Sequence, residues 1–134
     1  SGLVGSEMCI RDRSDPLDLM LACARGNLQP ETVKWNNKNF VGVAMVSGGY
    51  PDEYRTGYGI SGLDNDGPED TLVFHAGTKL GPSGETLTAG GRVLGVTALG
   101  ETREAASKKA YEALAGISFD GLHSRSDIGQ TMAN

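Results

Sequence analysis

No apolar run in this 134-residue chain approaches the roughly 20 residues of a membrane-spanning helix, which excludes a helical span. Cysteine is scarce. Cys9 and Cys23 form neither a zinc-ligand spacing nor a disulfide framework, so a reducing cytosol is the default compartment. Positive charge is in deficit as well. Twelve lysines and arginines face seventeen acids, for a net charge of −5, which argues against a broad nucleic-acid or anionic-membrane surface. Any anion site must therefore be local. Apolar residues make up a modest 38%, whereas the 20 glycines are many and lie in turns and at strand ends rather than in a repeat. With a length near the usual domain size, this predicts one loop-rich α+β domain.

Residues 1–13 stand apart. They carry no helical or alternating period, and Met8-Cys9-Ile10 is too short for the apolar part of a signal peptide. The string is similar to the leaders found when adapter or out-of-frame DNA is translated, with a natural disordered tail as the alternative, and either way it is expected to lie outside the fold. From Ser14 the pattern becomes regular. Ser14 or Asp15 can cap a helix with Pro16 in its first turn, Leu17, Met20, Leu21 and Ala24 recur at helical spacing, and Gly26 ends it. So wide a stripe predicts that this helix packs against material outside the chain. A second helix starts at Thr102, with Ala106, Ala110, Ala113 and Leu114 as a narrow apolar seam, and closes at Gly116.

Between the helices the period shortens to two. Phe40–Val46 is apolar on both alternating faces, as expected of a central strand covered on both sides. Gly48-Gly49-Tyr50-Pro51 breaks it as a turn, and 52–59 reads as a polar loop. Ile60 is expected to begin a short edge strand. Residues 64–70 form an acidic loop without the spacing of a calcium site. Thr71–Lys79 and Arg92–Leu99 read as two further strands joined by turn chemistry at Gly81-Pro82-Ser83-Gly84, and another strand-like stretch begins at Ile117. The order contains no βαβ alternation. An antiparallel or mixed sheet with two main helices on it, in a single domain, follows.

The chemistry concentrates in 74–95. There Gly77-Thr78-Lys79 and Gly90-Gly91-Arg92 each set glycine beside a cation or a polar donor. Glycine admits close approach to bare backbone, and guanidinium grips two oxygens in one plane. Arg92, with Gly90 and Gly91, is the first candidate for a phosphate or carboxylate contact, against a surface pair with Glu85. Gly77, Thr78 and Lys79 could add amides, a hydroxyl and an ammonium. His75 could donate a hydrogen bond, although its place beside Val73 predicts a buried structural histidine. Arg125 and Asp127 are expected to pair with each other. No residue has the setting of a nucleophile, a general base or a metal ligand.

Ser47-Gly48-Gly49-Tyr50-Pro51, Phe74-His75-Ala76-Gly77-Thr78, Gly90-Gly91-Arg92-Val93-Leu94 with Val96-Thr97-Ala98, and Arg125 followed by Asp127-Ile128-Gly129 occur in an order and rough spacing that resemble the C-terminal domain of the glycinamide ribonucleotide synthetases, the phosphoribosylamine–glycine ligases. The resemblance covers about residues 14–134. It implies an ATP-grasp ligase of purine biosynthesis, cytoplasmic, that joins glycine to 5-phosphoribosylamine through an acyl phosphate with cleavage of ATP. It also implies that ATP and Mg²⁺ are held by an N-terminal ATP-grasp portion outside this chain, on which the C-terminal domain packs, and that the fragment alone is inactive. The chain departs from the family at Ser126, where a second basic residue is usual, at His123 and Ser124, where aromatic residues are common, and before Ser14, where an acidic metal motif is expected. A stand-alone binding module for a phosphorylated sugar and a purely structural domain are the competing readings.

Overall fold

The structure is a computed structural model that describes residues 15–65 and 67–130, so the expected leader and Ser14 lie outside the described residues. The chain divides at Lys38/Asn39 into two compact units. No linker composition marks that boundary in the sequence.

The first unit contains helix α1 (Pro16–Ala24) and a 3₁₀ turn (Pro30–Thr32). Asp15 starts the helix, its Oδ1 accepting the Leu17 amide at 2.8 Å. The far end closes as expected: the Gly26 amide donates to Cys23 O and the Asn27 amide to Ala22 O, both at 3.0 Å, a Schellman pair that satisfies two orphan carbonyls. Leu17 and Met20 are 62% and 59% exposed, and Leu21 is exposed too.

The second unit holds strands β1 (Asn39–Val46), β2 (Thr71–His75), β3 (Thr78–Leu80), β4 (Thr86–Thr88) and β5 (Arg92–Gly100), followed by helix α2 (Arg103–Ala115). It is an α+β arrangement of two antiparallel sheets, one ordered β1-β5-β2 and one β3-β4. The central strand is β5, not β1. β5 is buried on both faces from Val93 to Thr97, whereas β1 lies at the edge, with Val41, Val43 and Met45 inward and Gly42 exposed. The expectation of a central β1 fails on strand order, and its second face, Phe40, Gly42, Ala44 and Val46, is half-buried apart from the exposed Gly42.

Helix α2 supplies the cover on the inner face. The Thr102 hydroxyl accepts the Ala105 amide at 3.1 Å and starts the helix. Ala106, Ala110 and Ala113 then lie along one stripe and are buried. Small side chains let the helix sit close to the sheet, against Val41, Val43 and Ala98 in one cluster. A second cluster unites Met45, Leu94 and Val96 with Ile117 and Phe119 beyond the helix. The stretch from Ile117 forms no strand. It crosses the domain through single bridges at Ser118 to Ser61 and at His123 to Val46, and Ile60 likewise begins no strand.

The C-terminal segment is tied to α2 by side chains. The Tyr111 hydroxyl donates to Arg125 O at 2.6 Å and accepts the Ile128 amide at 3.0 Å, and the Ser107 hydroxyl donates to Ile128 O at 2.8 Å. Arg125 and Asp127 pair as expected, Nε to Oδ1 at 2.8 Å and Nη2 to Oδ2 at 2.6 Å. The hydrogen bonds of this fork lower the Asp127 pKa and raise that of Arg125. Both groups are exposed, so the pair orients the tail more than it stabilises the fold. In the acidic loop, Asp70 faces Lys109 Nζ at 3.5 Å. No helix among the described residues is long and apolar enough to cross a membrane.

Candidate functional site

Three sequence-distant glycine turns converge where β5 begins. The Ser47 amide donates to Gly91 O at 2.8 Å and the Ser47 hydroxyl to Gly90 O at 2.9 Å, which fastens the turn after β1 to the start of β5. From the other side the Ala76 and Gly77 amides both donate to Val93 O, at 3.0 and 3.1 Å, and the Ala89 amide donates to Gly77 O at 2.7 Å. This double donation ends β2 at His75. What reads in the sequence as one strand from Thr71 to Lys79 is therefore two, and the β3–β4 hairpin is nested between β2 and β5.

The glycines are used by the chain crossing itself. A Cβ on Gly77 would lie 2.5 Å from Arg92 O and 2.9 Å from Gly90 Cα, so only bare backbone passes there. Gly91 is buried, and the Tyr50 ring occupies the space that its Cβ would fill. Tyr50 in turn meets Tyr54 edge to face, with ring centroids 5.9 Å apart. The Gly77 amide and the Gly90 and Gly91 carbonyls are thus engaged internally, which fixes the backbone that carries Arg92. We expect Gly91→Ala to displace the Tyr50 ring and to lower stability by about 1–3 kcal/mol, as overpacking does. Denaturant unfolding measures the loss, and an unchanged midpoint would show that the ring moves freely.

Arg92 itself is exposed, and its guanidinium forms no hydrogen bond or ion pair with any described residue. The alternative partner, Glu85, is occupied: its Oε2 accepts the Ser83 amide at 2.9 Å and shapes the hairpin turn. Arg92 pairs in register with Val46, next to a bulge in which β5 carries the extra residue, Val93, opposite the Met45–Val46 step of β1. Its Cα is therefore held by the sheet while its charge faces solvent. Lys79, on β3, is also exposed and without a partner among the described residues. His75 is not the buried histidine that its place beside Val73 suggested. As the last residue of an edge strand it is exposed, and its Nδ1 lies 3.0 Å from the Thr78 hydroxyl. Among the described residues no group of three or more His, Cys, Asp or Glu is placed to hold a metal ion.

Concavities open on the second unit among the described residues, and Arg92 lines none of the following three. The largest, about 810 Å³, lies between the acidic loop and the C-terminal end of α2. A more apolar one of about 250 Å³ runs between β1 and the tail at His123–Ile128. The third, about 340 Å³, is framed by Gly48 and Gly121 and lined by Glu53, Tyr54, Arg55, Tyr58 and Asp120. Sequence reasoning passed over this last group as a polar loop. The available signal was a tyrosine at every fourth position, 50, 54 and 58, in a segment too rich in glycine and proline to be helical.

Residues 40–131 match the family described as the phosphoribosylglycinamide synthetase C domain. The chain belongs to this family. The phosphoribosylamine–glycine ligase of Escherichia coli O157:H7 is 47% identical to it over 120 residues, which cover 90% of this chain and 28% of that protein. The bifunctional purine biosynthetic protein purD of Dictyostelium discoideum is 43% identical over 122 residues, covering 90% of this chain and 15% of that protein. A crystal structure of the phosphoribosylamine–glycine ligase from Thermotoga maritima superposes with a TM-score of 0.69 at 35% identity, over 83% of this chain and 26% of that one. The chain thus spans between about a seventh and about three tenths of the length of these relatives. The C-domain match includes all the motif residues from Ser47 to Gly129, and within it the Asp127-Ile128-Gly129 motif has a structural explanation: it is the segment latched to Tyr111 and Ser107.

Proposed function

We propose that this C domain belongs to an ATP-dependent, cytoplasmic phosphoribosylamine–glycine ligase. That enzyme would join glycine to 5-phosphoribosylamine and release glycinamide ribonucleotide, ADP and phosphate. The family match and the names of the relatives support the reading. At residue level one observation carries it: an exposed guanidinium at Arg92 without a partner among the described residues, on backbone clamped from both sides. Both substrates and the acyl-phosphate intermediate are anionic. A planar cation whose base is rigid holds such a group with little loss of freedom on binding.

ATP and Mg²⁺ are assigned to the portion of the ligase outside this chain, which supplies the phosphoryl-transfer chemistry. This chain contributes no catalytic residue. It contributes one wall of the substrate cleft, with Arg92 as the principal contact, Lys79 as an auxiliary charge, and the linked Thr78 hydroxyl and His75 imidazole beside them. The exposed Leu17, Met20 and Leu21 of α1 are the surface for packing on the rest of the ligase. The experiment is ADP release by the full-length protein carrying this chain, measured with each substrate omitted in turn. Turnover should require both glycine and 5-phosphoribosylamine. ATP cleavage that needs neither would overturn the assignment.

A further inference from the structure

We propose that the outer edge of β2 is a self-association surface, on which the same strand of a second copy of this chain pairs antiparallel about Val73. β2 ends the sheet order β1-β5-β2, so one of its sides is open. The Leu99 amide donates to Asp70 O at 2.9 Å and the Ala76 amide to Val93 O at 3.0 Å. Between these two bonds Leu72 stands opposite Thr97 and Phe74 opposite Gly95, without a register shift. In an antiparallel ladder only alternate residues bond to a given neighbour. Leu72 and Phe74 therefore bond to β5, and the N–H and C=O groups of Thr71, Val73 and His75 face outward. None of these outward groups meets a backbone partner among the described residues. The edge also lacks the usual safeguards. Thr71–His75 holds no proline, no lysine and no bulge, and is of ordinary strand length.

This edge is self-complementary. Setting Val73 opposite the partner's Val73 sets Thr71 opposite the partner's His75, so outward groups meet outward groups along the whole strand. Leu72 then lies beside the partner's Phe74. Both side chains are on the sheet face away from α2, because their neighbours on β5 are Thr97 and Gly95, whereas Leu94, Val96 and Ala98 belong to the buried clusters on the helix side. Leu72 is 50% exposed in one copy, and pairing covers it with an aromatic ring, a contact that symmetry makes twice. Charge agrees with the same register. Glu69 and Asp70, which precede the strand, come opposite the partner's Gly77 and the partner's Ala76. Residues 71–79 hold one formal charge, on Lys79, so like charges do not meet across the pairing.

Sedimentation equilibrium of the 134-residue chain, at concentrations up to about 1 mM, should show a monomer–dimer equilibrium, since a one-strand interface belongs to the small and weak class. Over the same range the amide resonance of Val73 should move and its hydrogen exchange should slow. The Val96 amide, inside the sheet, should stay in place and report an intact fold. Leu72→Lys, at an exposed position, should weaken the dimer about ten-fold or more, because lysine guards an open edge and symmetry counts the substitution twice. His75→Pro removes one outward amide and no bond to β5, and should weaken the dimer as well. Three results would overturn the proposal. One is a chain that stays monomeric throughout, which would give the edge to a different occupant. Another is a Val73 amide indifferent to concentration. The third is a dimer whose affinity is unchanged in either variant, which would place the interface elsewhere. Arg92 is untouched in both variants, so failure here leaves its assignment standing.

Discussion

Arg92→Ala, made in the full-length protein carrying this chain, is expected to lower kcat/KM of the proposed ligase reaction by about 10- to 100-fold, the equivalent of losing one hydrogen bond to a charged group, roughly 1.5–3 kcal/mol. The fold should survive, because the side chain is exposed and makes no hydrogen bond or ion pair with a described residue, so its departure leaves no buried group unpaired. Arg92→Lys is the sharper probe. Lysine keeps the charge but cannot present two parallel N–H groups to two oxygens, so it should recover only part of the loss. Steady-state kinetics with glycine and 5-phosphoribosylamine varied separately test the proposed contact, which predicts that the KM of one of the two alone rises. Kinetics unchanged at low concentrations of both would remove Arg92 from the site.

The second large effect concerns the scaffold. Leu94 is fully buried at the middle of the three-stranded sheet, in register with Met45 on one side and His75 on the other. Leu94→Ala should destabilise the domain by about 2–5 kcal/mol, through lost transfer energy and a cavity that β-strand neighbours cannot collapse to fill. Against a typical total of about 5–15 kcal/mol this is a large share. Guanidinium unfolding of the 134-residue chain measures it. A loss below about 1 kcal/mol would mean that the site repacks and that the core around β5 is looser than its burial implies.

What the sequence made legible was local. The Thr102 cap, the closing turn at Gly26 and the alanine seam of α2 each depend on residues within four or five positions of one another. The Arg125–Asp127 fork spans two positions and was legible for the same reason. Strand order was not legible, because β1 and β5 meet across some fifty residues and nothing in Phe40–Val46 distinguishes an edge strand with a half-buried outer face from a central one. The break in Thr71–Lys79 was hidden as well: it is made by Val93 O accepting two amides, an acceptor far along the chain. The candidate site divides the same way. Arg92 stood out because two glycines precede it, but those glycines proved to serve the chain crossing and the Tyr50 ring. The Arg55 cavity was invisible because its two walls, 53–58 and 120–121, are brought together only by the fold.

The nesting of one hairpin inside another has a practical consequence. The bonds from Ala76, Gly77 and Ala89 staple the base of the β3–β4 excursion, and its tip at Pro82-Ser83-Gly84 is exposed. Mechanical disturbance at the tip is thereby insulated from the strand that carries Arg92. Ser83–Gly84 is accordingly a natural graft point for a fluorophore or an affinity handle that leaves the start of β5 undisturbed.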